Sequence, residues 1–244
     1  MRQKNKIRTF GLIGKSLSHS FSSSYFNEKF YKEEITNTEY INFELEDISK
    51  FTQLIKTQNL SGLNVTIPYK ESVIPFLDDL SADAKSIGAV NTIQFINGKL
   101  IGHNTDIIGF KKSIIPILES RNTALILGDG GAAKAVKFAL NQLNISHKTV
   151  SRKGSFNYLD ISIQTIDFYR IIINTTPLGM ASEIANYPKL PYEALTEKHL
   201  LFDLIYNPSE TLFIKYGRTH NSSTKNGLEM LQIQAEASWN IWNS

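Results

Sequence analysis

Short hydrophobic runs alternate with segments of helical periodicity along most of the chain. In the first part of the chain the hydrophobic runs predict strands over residues 9–14, 39–45, 60–67, 91–96 and 99–104. A helical pattern covers residues 21–34, and Asp47 is a suitable N-cap for a second, shorter helix. The dipeptide Asn97-Gly98 is typical of a type I′ hairpin turn. We therefore expect a mixed sheet that contains an antiparallel part.

The second part of the chain has a strand–helix–strand rhythm. Its predicted strands cover residues 123–128, 147–151, 170–174 and 200–205. One predicted helix covers residues 106–120 and is interrupted by Pro116, and another covers residues 132–144. This alternation is typical of a parallel, doubly wound sheet. A long amphipathic helix is predicted over residues 227–242, with Met230, Ile233, Ala237 and Ile241 on one side.

Composition narrows the class of protein. Hydrophobic residues make up 41% of the 244 residues, as in ordinary globular proteins, and the net charge of +3 is too small to favour nucleic acid or a membrane as the main partner. The absence of cysteine excludes disulfides and thiolate sites. No hydrophobic stretch approaches the roughly 18 residues of a membrane span, so we expect a cytoplasmic protein. Scattered histidines predict no metal site, and both a monomer and a homodimer stay open.

A glycine-rich turn opens the second part of the chain. The segment Gly128-Asp129-Gly130-Gly131-Ala132-Ala133 follows a predicted strand and begins a predicted helix. Glycines let the backbone turn tightly and approach a pyrophosphate, and the free N–H groups of the helix N-terminus bind the anion. The pattern therefore predicts a dinucleotide site, and the alternative is a similar turn that binds no ligand.

The end of the next predicted strand favours NADP over NAD. NAD-binding sites usually carry an acidic residue there to bind the ribose hydroxyls, whereas this chain has Ser151-Arg152-Lys153. A guanidinium can hold a 2′-phosphate in a bidentate manner, and the lysine adds positive charge. A solvated basic pair in a loop is the alternative, and it leaves the choice of cofactor open.

Small polar residues gather with glycine or proline at the predicted strand ends of the first part. The segments are Ser18-His19-Ser20-Phe21-Ser22, Asn64-Val65-Thr66-Ile67-Pro68-Tyr69-Lys70, Gly88-Ala89-Val90-Asn91-Thr92 and Gly102-His103-Asn104-Thr105-Asp106. Ligands of open α/β sheets bind beyond the carboxyl ends of strands. These hydroxyls, amides and charged groups suit a small polyhydroxy acid.

In their order and spacing these segments resemble the motifs of the shikimate dehydrogenase family. The resemblance continues through the glycine-rich turn, Asn174 to Met180, Asp203 to Pro208 and Asn226 to Ala235. It implies an α/β fold with two domains. A mixed-sheet substrate domain takes residues 1–104 and 227–244, and a Rossmann-like, doubly wound NADP-binding domain takes residues 105–226.

The resemblance also implies a reaction and roles for residues. The reaction is the reversible, NADPH-dependent reduction of 3-dehydroshikimate to shikimate in aromatic amino acid biosynthesis. Lys70 and Asp106 are its implied catalytic pair, in which the lysine stabilises and protonates the ketone oxygen and the carboxylate favours the charged lysine. The implied substrate-binding residues are Ser20, Ser22, Thr66, Asn91, Tyr206 and Gln234. The implied cofactor-binding residues are Gly128, Gly130, Gly131, Ala132, Ala133, Ser151, Arg152, Lys153, Thr175, Met180 and Gly227.

Taken singly, these residues have simpler interpretations. Ser22 or Ser23 can cap a helix, Lys70 can be a solvated surface charge, and Asp106 can cap the helix that follows. The chain also departs from the family where Ser16 and Ser23 replace prolines and Glu229 replaces a small residue. These replacements predict a less rigid first loop and altered packing near the nicotinamide.

Three other functions stay open at this stage. The first is a quinate/shikimate dehydrogenase that prefers NAD, against which Arg152 argues. The second is a binding module without catalytic activity, against which the presence of Lys70 and Asp106 argues. The third is an enzyme similar to methylenetetrahydrofolate dehydrogenase, which the motif of Ser20 and Ser22 fits poorly.

Overall fold

The computed structural model describes residues 7–18 and 20–244. His19, to which the family resemblance gives a structural part, lies outside the described residues. The chain forms two compact units: the first ends at Thr105 and also includes Gln234–Ser244, and the second is Asp106–Ile233. The predicted assignment of a substrate domain and a cofactor domain, with boundaries at 104/105 and 226/227, stays a prediction.

Unit 1 is built on a six-stranded mixed sheet. Its strands are β1 (Arg8–Gly14), β2 (Thr38–Glu44), β3 (Leu60–Val65), β4 (Asp79–Leu80), β5 (Thr92–Ile96) and β6 (Lys99–His103), in the spatial order β2-β1-β3-β5-β6-β4. Strands β2, β1 and β3 are parallel, whereas β5 pairs antiparallel with both β3 and β6. The predicted hairpin is confirmed, because Asn97 and Gly98 have φ values of 51° and 74° between the paired strands.

Among the described residues, four helices belong to unit 1 alone. They are α1 (Phe21–Lys32), α2 (Phe51–Thr57), α3 (Tyr69–Ser72) and α4 (Ala82–Ile87). Asp47 caps a 3-10 turn at Ile48–Lys50 directly before α2, where its side chain accepts a hydrogen bond from the Ser49 N–H at 2.8 Å. The sequence therefore placed this cap correctly, although the helix proper begins later than expected.

Unit 2 is a parallel α/β sandwich. Its strands are β7 (Thr123–Leu127), β8 (Ser146–Val150), β9 (Ile171–Asn174), β10 (Leu200–Asp203) and β11 (Ser223–Lys225), in the order β11-β10-β9-β7-β8, and its helices are α5 (Asp106–Ile114), α6 (Gly131–Gln142), α7 (Ile163–Phe168) and α8 (Leu212–Thr219). All four strand pairs are parallel, which confirms the predicted doubly wound sheet. The strand order reverses around β7, and the glycine-rich turn directly follows that strand.

Two predicted helices differ from the structure. The helix predicted over residues 106–120 ends at Ile114, and Pro116 lies in the 3-10 turn Ile115–Ile117 because proline cannot donate the hydrogen bond that continues a helix. The terminal helix is α9 (Leu228–Trp242). Within the described part of the chain, no helix is long and apolar enough to cross a membrane.

The buried side of α9 differs from the predicted one. Ala235, Ser238 and Trp242 are its buried residues in unit 1, whereas Ala237 and Ile241 are partly exposed. The indole of Trp242 stacks on Phe10 at 4.8 Å between ring centroids and fills the space over Gly62, where a Cβ would approach its ring to 2.4 Å. Tertiary packing of a tryptophan against a glycine therefore sets the orientation of this helix.

Candidate functional site

Ser20 stands at the N-cap of α1 with a hydroxyl that makes no capping hydrogen bond. Its Oγ is buried and has no hydrogen-bond partner among the described residues. A buried polar atom without a partner costs free energy, and a bound ligand oxygen can remove that cost. Helix α1 begins at Phe21, so neither Ser22 nor Ser23 occupies its N-cap position.

Ser22 lies beside the buried hydroxyl of Tyr40. This hydroxyl donates a hydrogen bond to Oδ1 of Asn64 at 2.8 Å. Burial raises the pKa of Tyr40 far above its ordinary value of 10.0, and a hydrogen bond from Ser22 opposes that rise in part. Tyr40 is therefore a neutral hydroxyl that links Ser22 to the interior of the sheet.

Asn91 and Gln234 are brought together across 143 positions of sequence. Nδ2 of Asn91 donates to Oε1 of Gln234 at 3.1 Å, and Oδ1 of Asn91 accepts from the Thr105 N–H at 2.7 Å. Asn64 and Ser238 lie behind this pair and are joined by a hydrogen bond of 3.0 Å. The structure thus places two of the predicted substrate-binding residues in one hydrogen-bonded network of unit 1.

Thr66 and Lys70 lie on the turn that follows β3. The Thr66 N–H donates to the carbonyl of Ile13 at 2.9 Å, and Gly14 leaves room for its side chain, since a Cβ there would meet Thr66 Cγ2 at 2.6 Å. Lys70 is half-buried on α3, and its carbonyl accepts a hydrogen bond from the Val90 N–H at 2.7 Å. The backbone of Lys70 is therefore tied to the segment that carries Asn91.

Asp106 and Tyr206 belong to unit 2. Asp106 is the first residue of α5, and its side chain is only 2% exposed. Tyr206 is half-buried on the loop between β10 and α8. The N–H of Ile205, directly before it, donates to Oδ1 of Asp203 at 3.1 Å.

The glycine-rich turn has the shape of a phosphate cradle. Gly128 adopts a φ of +110°, and a Cβ there would meet Thr175 Oγ1 at 2.6 Å. Gly130 is the N-cap of α6, and a Cβ there would have no heavy atom within 4 Å, so the space beside it is open. These two glycines thus leave room for a ligand at the N-terminus of a twelve-residue helix.

The neighbouring strand ends complete the candidate cofactor site. Thr175 Oγ1 donates to the carbonyl of Leu127 at 2.7 Å, which fixes the end of β9 against β7. Ser151 is buried at the end of β8, and Arg152 and Lys153 after it are exposed to solvent. Two exposed cations beside a helix N-terminus fit a phosphorylated ribose. The residues present therefore fit the dinucleotide NADP.

Met180 and Gly227 were both predicted to lie near the nicotinamide. Met180 is 41% exposed, which leaves its side chain accessible to a ligand. Gly227 is buried, and a Cβ there would lie 2.1 Å from the carbonyl oxygen of Leu204. Glu229, a departure from the family pattern, forms an ion pair with Lys225 on the adjacent strand β11.

Asp203 is a buried residue for which sequence reasoning gave no role. Its carboxylate accepts hydrogen bonds from Thr211 Oγ1 at 2.6 Å and from Asn174 Nδ2 at 3.0 Å. Burial raises its pKa from 3.8 to about 6, and the hydrogen bonds from Thr211, Ile205 and Asn174 oppose this rise. The sequence signal for this pair was that Asn174 and Asp203 are polar residues at the ends of two otherwise hydrophobic strands, β9 and β10.

One cavity in unit 2 lies away from these residues. It has a volume of about 590 Å³ and is lined by Thr123 and Arg170, at the starts of β7 and β9. Ligands of parallel sheets bind at the carboxyl ends of strands, which is the opposite edge. This cavity is therefore not part of the candidate site.

Comparison with known proteins gives a consistent result. Residues 12–93 match the family model described as the shikimate dehydrogenase substrate binding domain. A Methanococcus maripaludis protein named shikimate dehydrogenase (NADP(+)) is 38% identical, over 98% of this chain and 92% of that protein.

Two solved structures extend the likeness to the fold. Shikimate dehydrogenase 1 from Peptoclostridium difficile is 38% identical with a TM-score of 0.86, and the match covers 97% of this chain and 92% of that one. The shikimate 5-dehydrogenase from Thermus thermophilus, solved in complex with NADP(H) and shikimate, is 27% identical with a TM-score of 0.84. That match covers 97% of this chain and 93% of the other.

Proposed function

The chain belongs to the shikimate dehydrogenase family, and we propose on this premise that it catalyses the reversible reduction of 3-dehydroshikimate to shikimate with NADPH. The observation that carries the proposal is the combination of a near-full-length match to the family with a phosphate cradle at Gly128 and Gly130. A hydrogen-bonded Asn91–Gln234 pair supplies polar groups suited to a hydroxylated ring.

The residues of unit 1 bind and orient the substrate in this proposal. Ser20 and Ser22 donate hydrogen bonds to the carboxylate of the substrate, and the buried, unpartnered hydroxyl of Ser20 supports this role. Thr66, Asn91 and Gln234 bind the ring hydroxyls. Tyr206, on the loop after Asp203, contributes a further contact to the substrate.

The residues of unit 2 bind the cofactor. The N–H groups at the start of α6 donate hydrogen bonds to the pyrophosphate, which occupies the open space beside Gly130. Arg152 and Lys153 bind the 2′-phosphate. Thr175, Met180 and Gly227 line the nicotinamide. When bound, NADPH supplies the hydride for the reduction.

Lys70 and Asp106 are the proposed catalytic residues. Negative charge develops on the ketone oxygen during hydride transfer, and a lysine ammonium stabilises that charge and donates the proton. Asp106 is the acidic member of the proposed pair, and its role is to orient the ammonium group. In the reverse direction Lys70 accepts the hydroxyl proton of shikimate.

An absorbance assay at the nicotinamide band, with shikimate and either NADP⁺ or NAD⁺, tests the proposal. We expect reduction of NADP⁺ by the wild type and a loss of kcat of about a thousandfold in Lys70→Ala. Lys85→Ala is the matched control, because Lys85 is exposed on α4 of the same unit. Folded wild-type protein that reduces neither cofactor contradicts the proposed activity.

A further inference from the structure

Thr105 is a buried residue of unit 1 to which the proposed mechanism gives no role. It is 1% exposed and makes three hydrogen-bonding contacts with the side chain of Asn91. The Thr105 N–H donates to Oδ1 of Asn91 at 2.7 Å, and Oγ1 of Thr105 accepts from Nδ2 of Asn91 at 3.0 Å. Both ends of the Asn91 amide therefore contact the same residue.

These contacts fix which way the Asn91 amide points. A backbone N–H can only donate, so the atom of Asn91 that faces it must be the oxygen. The nitrogen is then turned toward Gln234, whose oxygen accepts from it at 3.1 Å. Because its oxygen is turned toward Asn91, the Gln234 NH₂ points away from that residue, and this NH₂ can only donate a hydrogen bond to a ligand.

A second layer of contacts fixes the amide of Asn64, which lies against the backbone of Asn91. The backbone carbonyl of Asn91 can only accept, so Nδ2 of Asn64 faces it at 3.2 Å, and Oδ1 of Asn64 is left to accept from Tyr40. Ser238 is fully buried, and its Oγ lies 3.3 Å from Oγ1 of Thr105 and 3.0 Å from Nδ2 of Asn64. Reversing any one amide in this network would set two donors or two acceptors against each other.

We propose that Thr105 is a positioning residue for the Asn91–Gln234 pair. Its N–H sets the donor–acceptor polarity of the pair, and its hydroxyl holds Nδ2 of Asn91 in the position from which that nitrogen reaches Gln234. Through Asn91, Thr105 makes the site present donors to the ligand at Gln234. The Gln234 NH₂ thereby favours rings that carry an acceptor oxygen at this position over rings that carry a protonated amine there. This inference rests on the proposed function, because it concerns the same substrate site.

Replacement of the Thr105 hydroxyl tests the proposal. Thr105→Val keeps the N–H and the branched shape but removes Oγ1, and we expect the KM for shikimate to rise about fivefold while kcat changes by less than about twofold. The KM for NADP⁺ stays at the wild-type value. Thr105→Ser restores the hydroxyl and brings the KM for shikimate back to that of the wild type.

Thr123→Val is the matched control. Oγ1 of Thr123 also makes two hydrogen bonds, one donated to the carbonyl of Phe168 at 2.8 Å and one accepted from the Arg170 N–H at 3.2 Å. This site lies at the start of β7, and its loss leaves both KM values unchanged. An unchanged KM in Thr105→Val, or a fall in kcat alone through the neighbouring Asp106, overturns the proposal.

A second variant tests the polarity without removing a buried group. Gln234→Glu keeps an oxygen that accepts from Asn91 but loses the NH₂, so we expect the KM for shikimate to rise more than about tenfold. A wild-type KM in this variant overturns the polarity assignment even if Thr105→Val does not fold. Wild-type protein that neither oxidises shikimate nor binds it in a calorimeter instead overturns the proposed function, and this inference with it.

Discussion

Each unit carries a buried hydrogen-bonded network at one edge of its sheet, and the two networks differ in charge. The network of unit 1 joins Tyr40, Asn64 and Asn91 through hydroxyls and amides. The network of unit 2 is centred on the carboxylate of Asp203, which receives hydrogen bonds from Thr211 and Asn174. Neutral groups keep their hydrogen-bond pattern as the pH changes, whereas a buried carboxylate titrates.

This difference follows from the cost of burial. Burial raises the pKa of Tyr40 so far that its hydroxyl stays neutral at any physiological pH. Burial raises the pKa of Asp203 to about 6, within the range where proteins are handled. Of the two networks, we therefore expect only the one in unit 2 to make the free energy of unfolding depend on pH.

Gly227→Ala is expected to have the largest effect. The added Cβ meets the backbone carbonyl of Leu204, the residue directly after Asp203, and a backbone atom cannot turn aside as a side chain can. We expect a loss of at least about 3 kcal/mol in the free energy of unfolding, measured by urea denaturation. Gly130→Ala is the matched control, because open space surrounds its Cβ and only the weaker N-cap of α6 should lower stability, by about 1 kcal/mol or less. Equal losses in the two variants contradict the prediction.

Asp203→Asn is expected to remove a pH dependence. The carboxyl has an ordinary pKa of 3.8 and a pKa of about 6 in the fold, so the folded protein holds a proton that the unfolded chain releases between these values. That contribution to stability is complete below about pH 4 and is lost as the pH rises through about 6. From pH 4 to pH 7 the wild type should lose about 2–3 kcal/mol relative to the variant in urea unfolding. If the unfolding free energies of the wild type and Asp203→Asn change with pH in parallel, the Asp203 carboxyl is not the source of the pH dependence.

Asn64→Leu disturbs the neutral network of unit 1. It removes the acceptor of the Tyr40 hydroxyl and the donor to Ser238, and both of these partners are buried. We expect a loss of about 2 kcal/mol that is the same at pH 5 and pH 8, because no group of this network titrates between them. Asn27→Leu, at an exposed position of α1, should change stability by less than about 0.5 kcal/mol. If the loss of unfolding free energy in Asn64→Leu instead grows with pH, the network of unit 1 is not neutral over this range.

Arg152→Ala is expected to have the smallest effect and none on stability. The side chain is exposed, so its removal leaves the packing of unit 2 intact. The KM for NADP⁺ should rise about tenfold, because a charge-assisted hydrogen bond to the 2′-phosphate is lost, while the KM for NAD⁺ changes little. Lys148→Ala, which removes a cation over the Phe156 ring at 4.0 Å, is the control and should leave both values unchanged. An equal rise in the KM values for NADP⁺ and NAD⁺ shows that Arg152 does not bind the 2′-phosphate.

The sequence predicted the long elements better than the short ones. Hydrophobic runs placed the central strands of both sheets within a few residues, and Asn97-Gly98 identified the hairpin. The short elements β4, β11, α4, α7 and α8 were missed, because segments of two to eight residues repeat a hydrophobic pattern too few times to stand out from their neighbours. Pro116 indicated an interruption of α5, but only the structure showed that the helix ends at Ile114 and continues as a 3-10 turn.

The two candidate sites were predictable to different degrees. Glycines at 128 and 130 and the basic pair after β8 form a local pattern, so the cradle could be inferred from neighbours in sequence. Asn91 and Gln234 could be named from the family likeness, but their hydrogen bond joins residues 143 positions apart. Nothing near Thr105 or Asp203 in sequence indicates which partners they meet.

By itself, the sequence determined the two sheet types, the glycine-rich turn and the set of polar residues at strand ends, because these depend on local periodicity and on the conformational freedom of glycine. Only the tertiary structure decided which amide faces which, that Asp203 is buried among three donors, and that Trp242 orients α9. The physical reason is that the polarity of a hydrogen bond and the cost of burial depend on which groups the fold brings together. The spacing of residues in the sequence does not specify those partners.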